Sequence, residues 1–332
     1  NIAFGVIKME IKMLIKNNEK VYDATNLLEG EVTIEKSILG TCGKMTCFII
    51  RDGITQFVEG NQIQFYAEDK LFFSGWIMRK SRTSKQIIEV TAYDQFFYLV
   101  QNKDTYVYYN KKASELIQMI ANDYGLEVGK ICDTVWQIPQ RIEEGQTLWD
   151  MINTALNMTK KEIGKEYFFY DEEGKLTLTE KNDMITNEVL QCNGSIEDYI
   201  YTTDISEDTY NGIQLFQAGR LETEKLSYRE EKEEEVKKWG RILYYQRVDH
   251  RLTQYDLKAM GDSFLAQKCR VKKTLLLKQL SEKLILIPGQ SVCIELPELA
   301  EISLKGMFVI EKGIYHFFNG GYKADLSIRM EE

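Results

Sequence analysis

Histidine is nearly missing from this chain, which has two in 332 residues. His250 lies in Val248-Asp249-His250-Arg251 at a strand end, and His316 stands among Tyr315, Phe317 and Phe318 at an alternating strand position. Neither has a companion ligand at metal-binding spacing, so a His-based metal centre or a His general base has no support. His316 reads as a packed strand residue. The G-x-S-x-G elbow, H-E-x-x-H, the P-loop and a G-x-G-x-x-G following a strand are also missing. The 51 Asp and Glu are too many to single out a catalytic pair. A two-carboxylate glycosidase stays open, because folding rather than spacing builds that site. No catalytic, cofactor-binding or metal-ligating residue is nominated, and no cofactor is implied.

A basic excess is missing too. The net charge of −9 excludes a general nucleic-acid binder and disfavours an anionic membrane surface. It keeps free subunits soluble and mutually repelling. No apolar run approaches the roughly 18 residues of a membrane span, so no membrane insertion is expected. Asn1–Ile15 lacks a long apolar core and a small-residue cleavage site, so no signal peptide is read. Met9 opens an alternating strand, and residues 1–8 read as an upstream extension. The six cysteines, at 42, 47, 132, 192, 269 and 293, are scattered, as free thiols of a reducing cytosol would be. Cys42 and Cys47, the one close pair, lack the second pair that a zinc site needs.

What is present is aromatic and strand-like, with 19 Tyr, 15 Phe and 4 Trp. One β-rich phrase occurs twice. Gly60–Phe65, Phe73–Ile77 and Ile88–Ala92 are echoed by Gly289–Ile294, Leu304–Phe308 and Ala324–Ile328. In each copy a Gly turn opens an alternating strand, and a second glycine, Gly75 or Gly306, sits beside large apolar residues. Any two antiparallel meanders share alternation and Gly turns, so repeat and coincidence both stay open on the pattern alone. Gly75 inside an apolar run marks a bulge or a close backbone approach.

The length suits about two or three domains. The expected class is α+β, mainly β. Residues 1–100 read as a β domain with strands near 10–16, 31–36, 46–51, 62–67, 71–79 and 86–92. Residues 101–194 read as a small α+β domain. Ala113, Leu116, Ile117, Ile120, Ala121 and Tyr124 make one helical face closed by Gly125. Thr147 caps a second helix, with Trp149, Ile152 and Leu156 toward the core and Gly164 as its stop. Strands Tyr167–Tyr170 and Leu176–Thr179 follow, joined by an Asp171–Gly174 hairpin loop. Residues 195–332 return to β, with strands near 198–204, 212–217, 241–248, 283–287, 291–296, 305–318 and 322–329. A helix at about 253–272 interrupts them, capped by Thr253, its stripe Leu257, Met260, Phe264 and Leu265 reading as core. Leu221–Lys238, dense in charge, reads as a solvated loop or short exposed helix, or as a contact ordered on assembly.

Five landmarks occur in order: DKLFFSGWI (69–77), VTAYDQFFYLVQNKDTYVY (90–108), ASELIQMIANDYGL (113–126), KKWGRILYYQRVD (237–249) and the stretch from Leu284 to Met330. Together they resemble the baseplate hub proteins of contractile phage tails, the late control protein D or XkdQ-like family of phages, defective prophages and contractile bacteriocins. The resemblance implies two tail-tube-like β-barrel domains with the small α+β domain between them. It implies a homotrimeric ring joining the hexameric tail tube to the trimeric central spike, with other baseplate proteins as further partners. It also implies assembly in the bacterial cytoplasm and residence in the tail baseplate. The family lends no catalytic residue, and no appended hydrolase region is read, so a non-enzyme is expected. The rival expectations are a tail-tip peptidoglycan-degrading enzyme, with carboxylates converging in a cleft, and a carbohydrate-binding tail component, with aromatics lining an exposed groove.

Overall fold

In the first strand, β1 (Ile11–Asn17), Met13 and Ile15 are fully buried while Lys12 and Lys16 face water. Period-two alternation of this kind fixes which face of each strand joins the core. The structure, a computed structural model, describes residues 9–82, 84, 86–192, 195–217, 226–248, 252–280, 285–297, 299, 304–318 and 321–330. The extension 1–8, His250, residues 221–225 of the charged segment and residues 283–284 of one expected strand lie outside them.

The chain forms two units, Asn1–Ile200 with Leu276–Met330, and Tyr201–Leu275. The first begins with β1, β2 (Lys20–Asp23), β3 (Val32–Ser37), β4 (Lys44–Ile50), β5 (Gln62–Ala67), β6 (Lys70–Arg82), β7 (Ile87–Tyr93) and helix α1 (Phe96–Gln101). It continues with β8 (Lys103–Lys112), α2 (Ala113–Asp123), β9 (Val128–Ile131), β10 (Gln137–Thr147), α3 (Leu148–Ile163), β11 (Tyr167–Glu172), β12 (Lys175–Glu180) and β13 (Ile185–Gln191). Strand β14 (Asp198–Asp204) leads into the second unit, which holds β15 (Gly212–Gln217), β16 (Leu226–Glu231), α4 (Glu233–Trp239), β17 (Leu243–Val248) and α5 (Gln254–Lys268). Strand β18 (Lys272–Leu280) leads back to β19 (Ser291–Leu296), β20 (Leu304–Phe318) and β21 (Gly321–Ile328).

The mainly β architecture is as expected, but most strands of the two anticipated barrels share one thirteen-stranded sheet, while those near 212–217 and 241–248 lie in a separate three-stranded sheet. Its order is β14-β18-β21-β20-β3-β4-β7-β6-β5-β1-β2, with β19 also on β20 and β13 on β19. Among the described residues this ladder does not close on itself. The joint is β20, which pairs antiparallel with β3 in the register Tyr315 to Ile34 and Phe317 to Val32. It ties the two ends of the chain into a single sheet.

Both copies of the repeated phrase are three-stranded antiparallel meanders, β5-β6-β7 and β19-β20-β21. Their opening turns use the same hydrogen bonds. Gly60 N–H donates to Ile77 O (2.7 Å) and Ile77 N–H to Asn61 O (2.9 Å). Likewise Gly289 N–H donates to Ile310 O (2.8 Å) and Ile310 N–H to Gln290 O (2.9 Å). The side chain of Asn61 accepts from Val58 N–H (2.8 Å), as that of Gln290 does from Ile287 N–H (2.9 Å). Both glycines have φ near +90° (86° and 94°), which a turn of this shape requires. Aligning Ile77 with Ile310 sets Gly75 level with Phe308, so Gly306 is not its counterpart. The third strands agree, since Ile77 pairs with Ala92 and Ile310 with Ile328.

Between the meanders, α1, α2 and α3 pack with the ribbon β8–β10 and the sheet β11-β12-β9 around Leu116, Ile120, Ile152, Phe169 and Leu178. Helix α3 starts and stops as its sequence signals: Thr147 Oγ1 accepts from Asp150 N–H (3.0 Å), and Gly164 closes it at φ 69°. Ile152 and Leu156 are buried, while Trp149 is partly so. Residues 285–287, expected as strand, form none. Instead they form the approach to the Gly289 turn, where the N–H and the carbonyl of Ile287 both bond to Gln290.

In the second unit β15 is flanked by antiparallel β16 and parallel β17. Leu257 and Leu265 of α5 pack on Ile213 and Leu215. Met260 is exposed, so the expected core stripe is only partly core. Helix α4 buries no residue and carries Glu233–Glu235 at its start and Lys237 and Lys238 at its end, matching the helix dipole.

A methyl group on Gly75 would meet Tyr93 O at 2.2 Å, a backbone atom that cannot step aside. Gly75→Ala is therefore expected to destabilise the protein by about 1–3 kcal/mol in urea denaturation. An unchanged midpoint would refute the close approach.

Candidate functional site

Strand β3 carries Val32, Ile34 and Lys36 on its inward face, so alternation delivers a lysine into the first unit. Lys36 meets Asp94, just after β7, and Asp171 of β11 around a cavity of about 30 Å³ that Ser37, Thr41 and Gly43 also line. Asp94 Oδ2 accepts from Gly43 N–H (2.8 Å) and Oδ1 from Phe96 N–H (3.1 Å). A side chain at position 43 would lie 2.3 Å from Asp94 Oδ2 and would have to displace that carboxyl. Asp171 Oδ1 accepts from Gly174 N–H (2.9 Å), while Oδ2 is buried without a hydrogen-bond partner among the described residues. Gln95, 1% exposed, donates to Glu127 O and Gly174 O and accepts from Glu127 N–H, pinning the β11–β12 hairpin beside the cavity.

The electrostatics follow from burial. Burial pushes the Asp94 carboxyl well up, and the charge of Asp171 adds to this. Burial pushes Asp171 up to about 6, against the pull of Lys36 and the Gly174 N–H. Burial pushes the Lys36 ammonium down, against the attraction of Asp171 and Asp94. Two carboxylates converge here, as a glycosidase would require, but the cavity has room for water rather than a sugar ring.

His316 corrects its expected role. It pairs with Thr33 on the outward face, its side chain 31% exposed and Nδ1 3.3 Å from Glu31 Oε1. Tyr315 and Phe317 take the inward positions and are fully buried. The six cysteines form no disulfide.

The remaining candidate surfaces are apolar. Strand β13 is an edge that pairs with β19 alone among the described residues, while β14, on β18, and β2, on β1, end the main path of the sheet. In register across β13, β19 and β20 lie Val189, Cys293 and Met307, the outer two about half exposed. Gln191, Glu295 and Lys305 flank this row, with Glu295 accepting from Gln191 (2.8 Å) and pairing with Lys305 (2.9 Å). On the ribbon, Val107 stands opposite Ile142 with Tyr109 beside them, all three exposed.

This fold is that of phage tail proteins. The 43 kDa tail protein of Shewanella oneidensis prophage MuSo2 superposes with a TM-score of 0.67 over 96% of this chain and 98% of its own, at 12% identity. The tail protein of Neisseria meningitidis MC58 gives 0.63 over 97% of each chain at 13% identity. In sequence, the XkdQ protein of the phage-like element PBSX of Bacillus subtilis (strain 168) is 31% identical over 244 residues, 73% of this chain and 72% of that protein. Residues 32–329 match the YQBQ-like family, and the chain belongs to it. In fold it is of the phage tail type, and in sequence it is related to a protein of a phage-like element.

A carboxyl whose pKa rises on folding stabilises the fold while protonated. For Asp171 that contribution is full below 3.8 and lost as pH rises through 6. Asp171→Asn removes this swing. From pH 4 to 7.5 the wild type should lose roughly 2–3 kcal/mol of unfolding free energy relative to the variant, by urea melts at each pH. A difference that stays flat would contradict the burial of this carboxyl.

Proposed function

We propose that the protein is the baseplate hub of a contractile phage-type tail, a homotrimeric ring joining the hexameric tail tube to the trimeric central spike. The observation that carries this is the shared hydrogen-bond pattern of the Gly60 and Gly289 turns, each opening a three-stranded meander. One subunit offers two like modules, so three subunits offer six, which suits a sixfold tube on one side and a threefold spike on the other. In this reading residues 1–100 carry the first tube-like module and 101–194 the small α+β layer. Residues 195–332 carry the second module, into which the unit Tyr201–Leu275 is inserted.

Open edges at β2, β13 and β14 favour a ring, because unpaired strand edges must be protected or paired. Heterologous contacts that close after three steps cover them by symmetry. The Val189–Cys293–Met307 row beside β13 supplies apolar area to such an interface. A permanent ring would bury on the order of 2,000 Å² or more per contact. Assembly with tube, spike and other baseplate proteins would occur in the bacterial cytoplasm, in a phage, a defective prophage or a bacteriocin.

Light scattering on protein co-expressed with its spike should give three copies, and two or six would sink the proposal. The net charge of −9 opposes association, so salt should favour the trimer. Val189→Glu combined with Met307→Glu should abolish the trimer without changing the circular dichroism of the subunit. Purified protein should release no peptidoglycan fragments. Release that disappears on one carboxylate-to-amide change would favour the wall-degrading alternative.

A further inference from the structure

The cavity of Lys36, Asp94 and Asp171 gathers three segments far apart in sequence, yet among the described residues the Lys36 ammonium has no hydrogen-bond or ion-pair partner and one oxygen of Asp171 has no hydrogen-bond partner. The Lys36 ammonium lies 4.5 Å from the Phe72 ring centroid and makes no ion pair with either carboxylate. Asp171 Oδ2 is buried without a hydrogen-bond partner. The two are close enough to attract each other across the cavity. A space of about 30 Å³ exceeds the 10–15 Å³ or so that one water requires, and a buried water needs two to four polar partners. Lys36 offers donors, Asp171 and Asp94 offer acceptors, and Thr41 and Ser37 line the same space.

We propose that this cavity is an internal hydration site, in which ordered water accepts from the Lys36 ammonium and donates to Asp171 Oδ2 and the Asp94 carboxyl. The result is a water-bridged ion pair that fastens the β11–β12 hairpin to β3. It satisfies an oxygen that would otherwise be left stripped of solvent, and it spares the lysine a dry interior. Gln95 already holds the hairpin through Gly174 O and lies close enough to Asp171 to stabilise its charge, so the bridge adds a second attachment. This inference does not depend on the proposed trimer or on any partner.

The other groups facing the site set its charge balance. Cys42 borders Asp94, with its thiol pushed up to about 11 by burial and by that carboxylate, and it stays uncharged at neutral pH. Glu172 and Glu173 of the hairpin add attraction for Lys36. Tyr170 lines the cavity from β11, and Ile287 and Pro288 cover it with apolar surface. One lysine facing two aspartates is neutral when one aspartate keeps its proton, and Asp94, 7% exposed and beside Asp171, is the one to keep it.

A crystal structure of the wild-type protein at a resolution that shows solvent should place water within hydrogen-bond distance of Lys36 Nζ and Asp171 Oδ2. A dry cavity, or direct Lys36–Asp171 contact, would overturn the proposal. The energetic test is a double-mutant cycle of Lys36→Met and Asp171→Asn. At pH 8, Lys36→Met should lower the folding equilibrium constant at least about 10-fold in the wild-type background and no more than about 3-fold in the Asp171→Asn background. At pH 4.5 the two costs should converge, because Asp171 is then protonated. Equal costs at pH 8 would show that the two charges act independently and would overturn the bridge. Should Lys36→Met fail to fold, Lys36→Gln serves the same cycle, and the wild-type structure decides independently.

Discussion

The pairing of β20 with β3 is the constraint on which the rest of the first unit depends. Residues 312–317 hydrogen-bond to residues 32–37, and the aromatic side chains on either side of that seam lock it. Phe317 touches Phe65 and Phe72 at centroid distances of 4.9 and 5.1 Å, and Tyr315 meets Phe72 at 4.9 Å. The Tyr315 hydroxyl donates to Leu286 O, so this buried ring leaves no polar end unmatched. Without the seam, β3 and the second half of β20 would each carry a bare edge, and Phe65 and Phe72 would lose the rings they pack against. With it, one continuous sheet forms a wall for the helical layer and positions β11 near enough to β3 for Lys36 and Asp171 to share a cavity.

Much of this was legible in the sequence, and what was not has physical causes. Turns and caps are local, so Gly60, Gly289, Thr147, Gly164 and Thr253 read correctly. Gly75 was legible because a glycine in an apolar run has few other uses, and its close approach to Tyr93 is that use. Strand β13 escaped notice because Ile185–Gln191 is mostly polar and takes its partner from β19, about a hundred residues on. Strand β18 was lost where Leu275–Leu277 forms a run instead of an alternation, directly behind a helix. Helix α1, Phe-Phe-Tyr-Leu-Val-Gln, has strand-like composition and is helical because its tertiary setting overrides propensity. Gly306 was misaligned by two positions because sequence spacing cannot see a ladder register.

The charge cluster was illegible for a different reason. Positions 36, 94 and 171 converge only through the stacking of the α+β layer on the sheet. The one available signal was Lys36 itself, in step with Val32 and Ile34 on an inward face. The apolar row of Val189, Cys293 and Met307 is equally unmarked, since its members come from three strands and look ordinary along the chain. Their meaning lies in register and in the open edge beside them.

The seam also has a consequence for biosynthesis. Strand β3 leaves the ribosome long before β20, its partner roughly 275 residues later. At about 5–20 residues per second, the interval is roughly 14–55 s. Throughout that time the β3 edge, with Val32 and Ile34 on its inward face, has no neighbour on the β20 side, and the N-terminal meander exists without its closing strand. A nascent or truncated chain therefore displays a surface that the finished subunit conceals. Chaperone engagement and proteolytic triage can distinguish the two on that ground alone, and the sheet completes itself only once residues 312–317 are available.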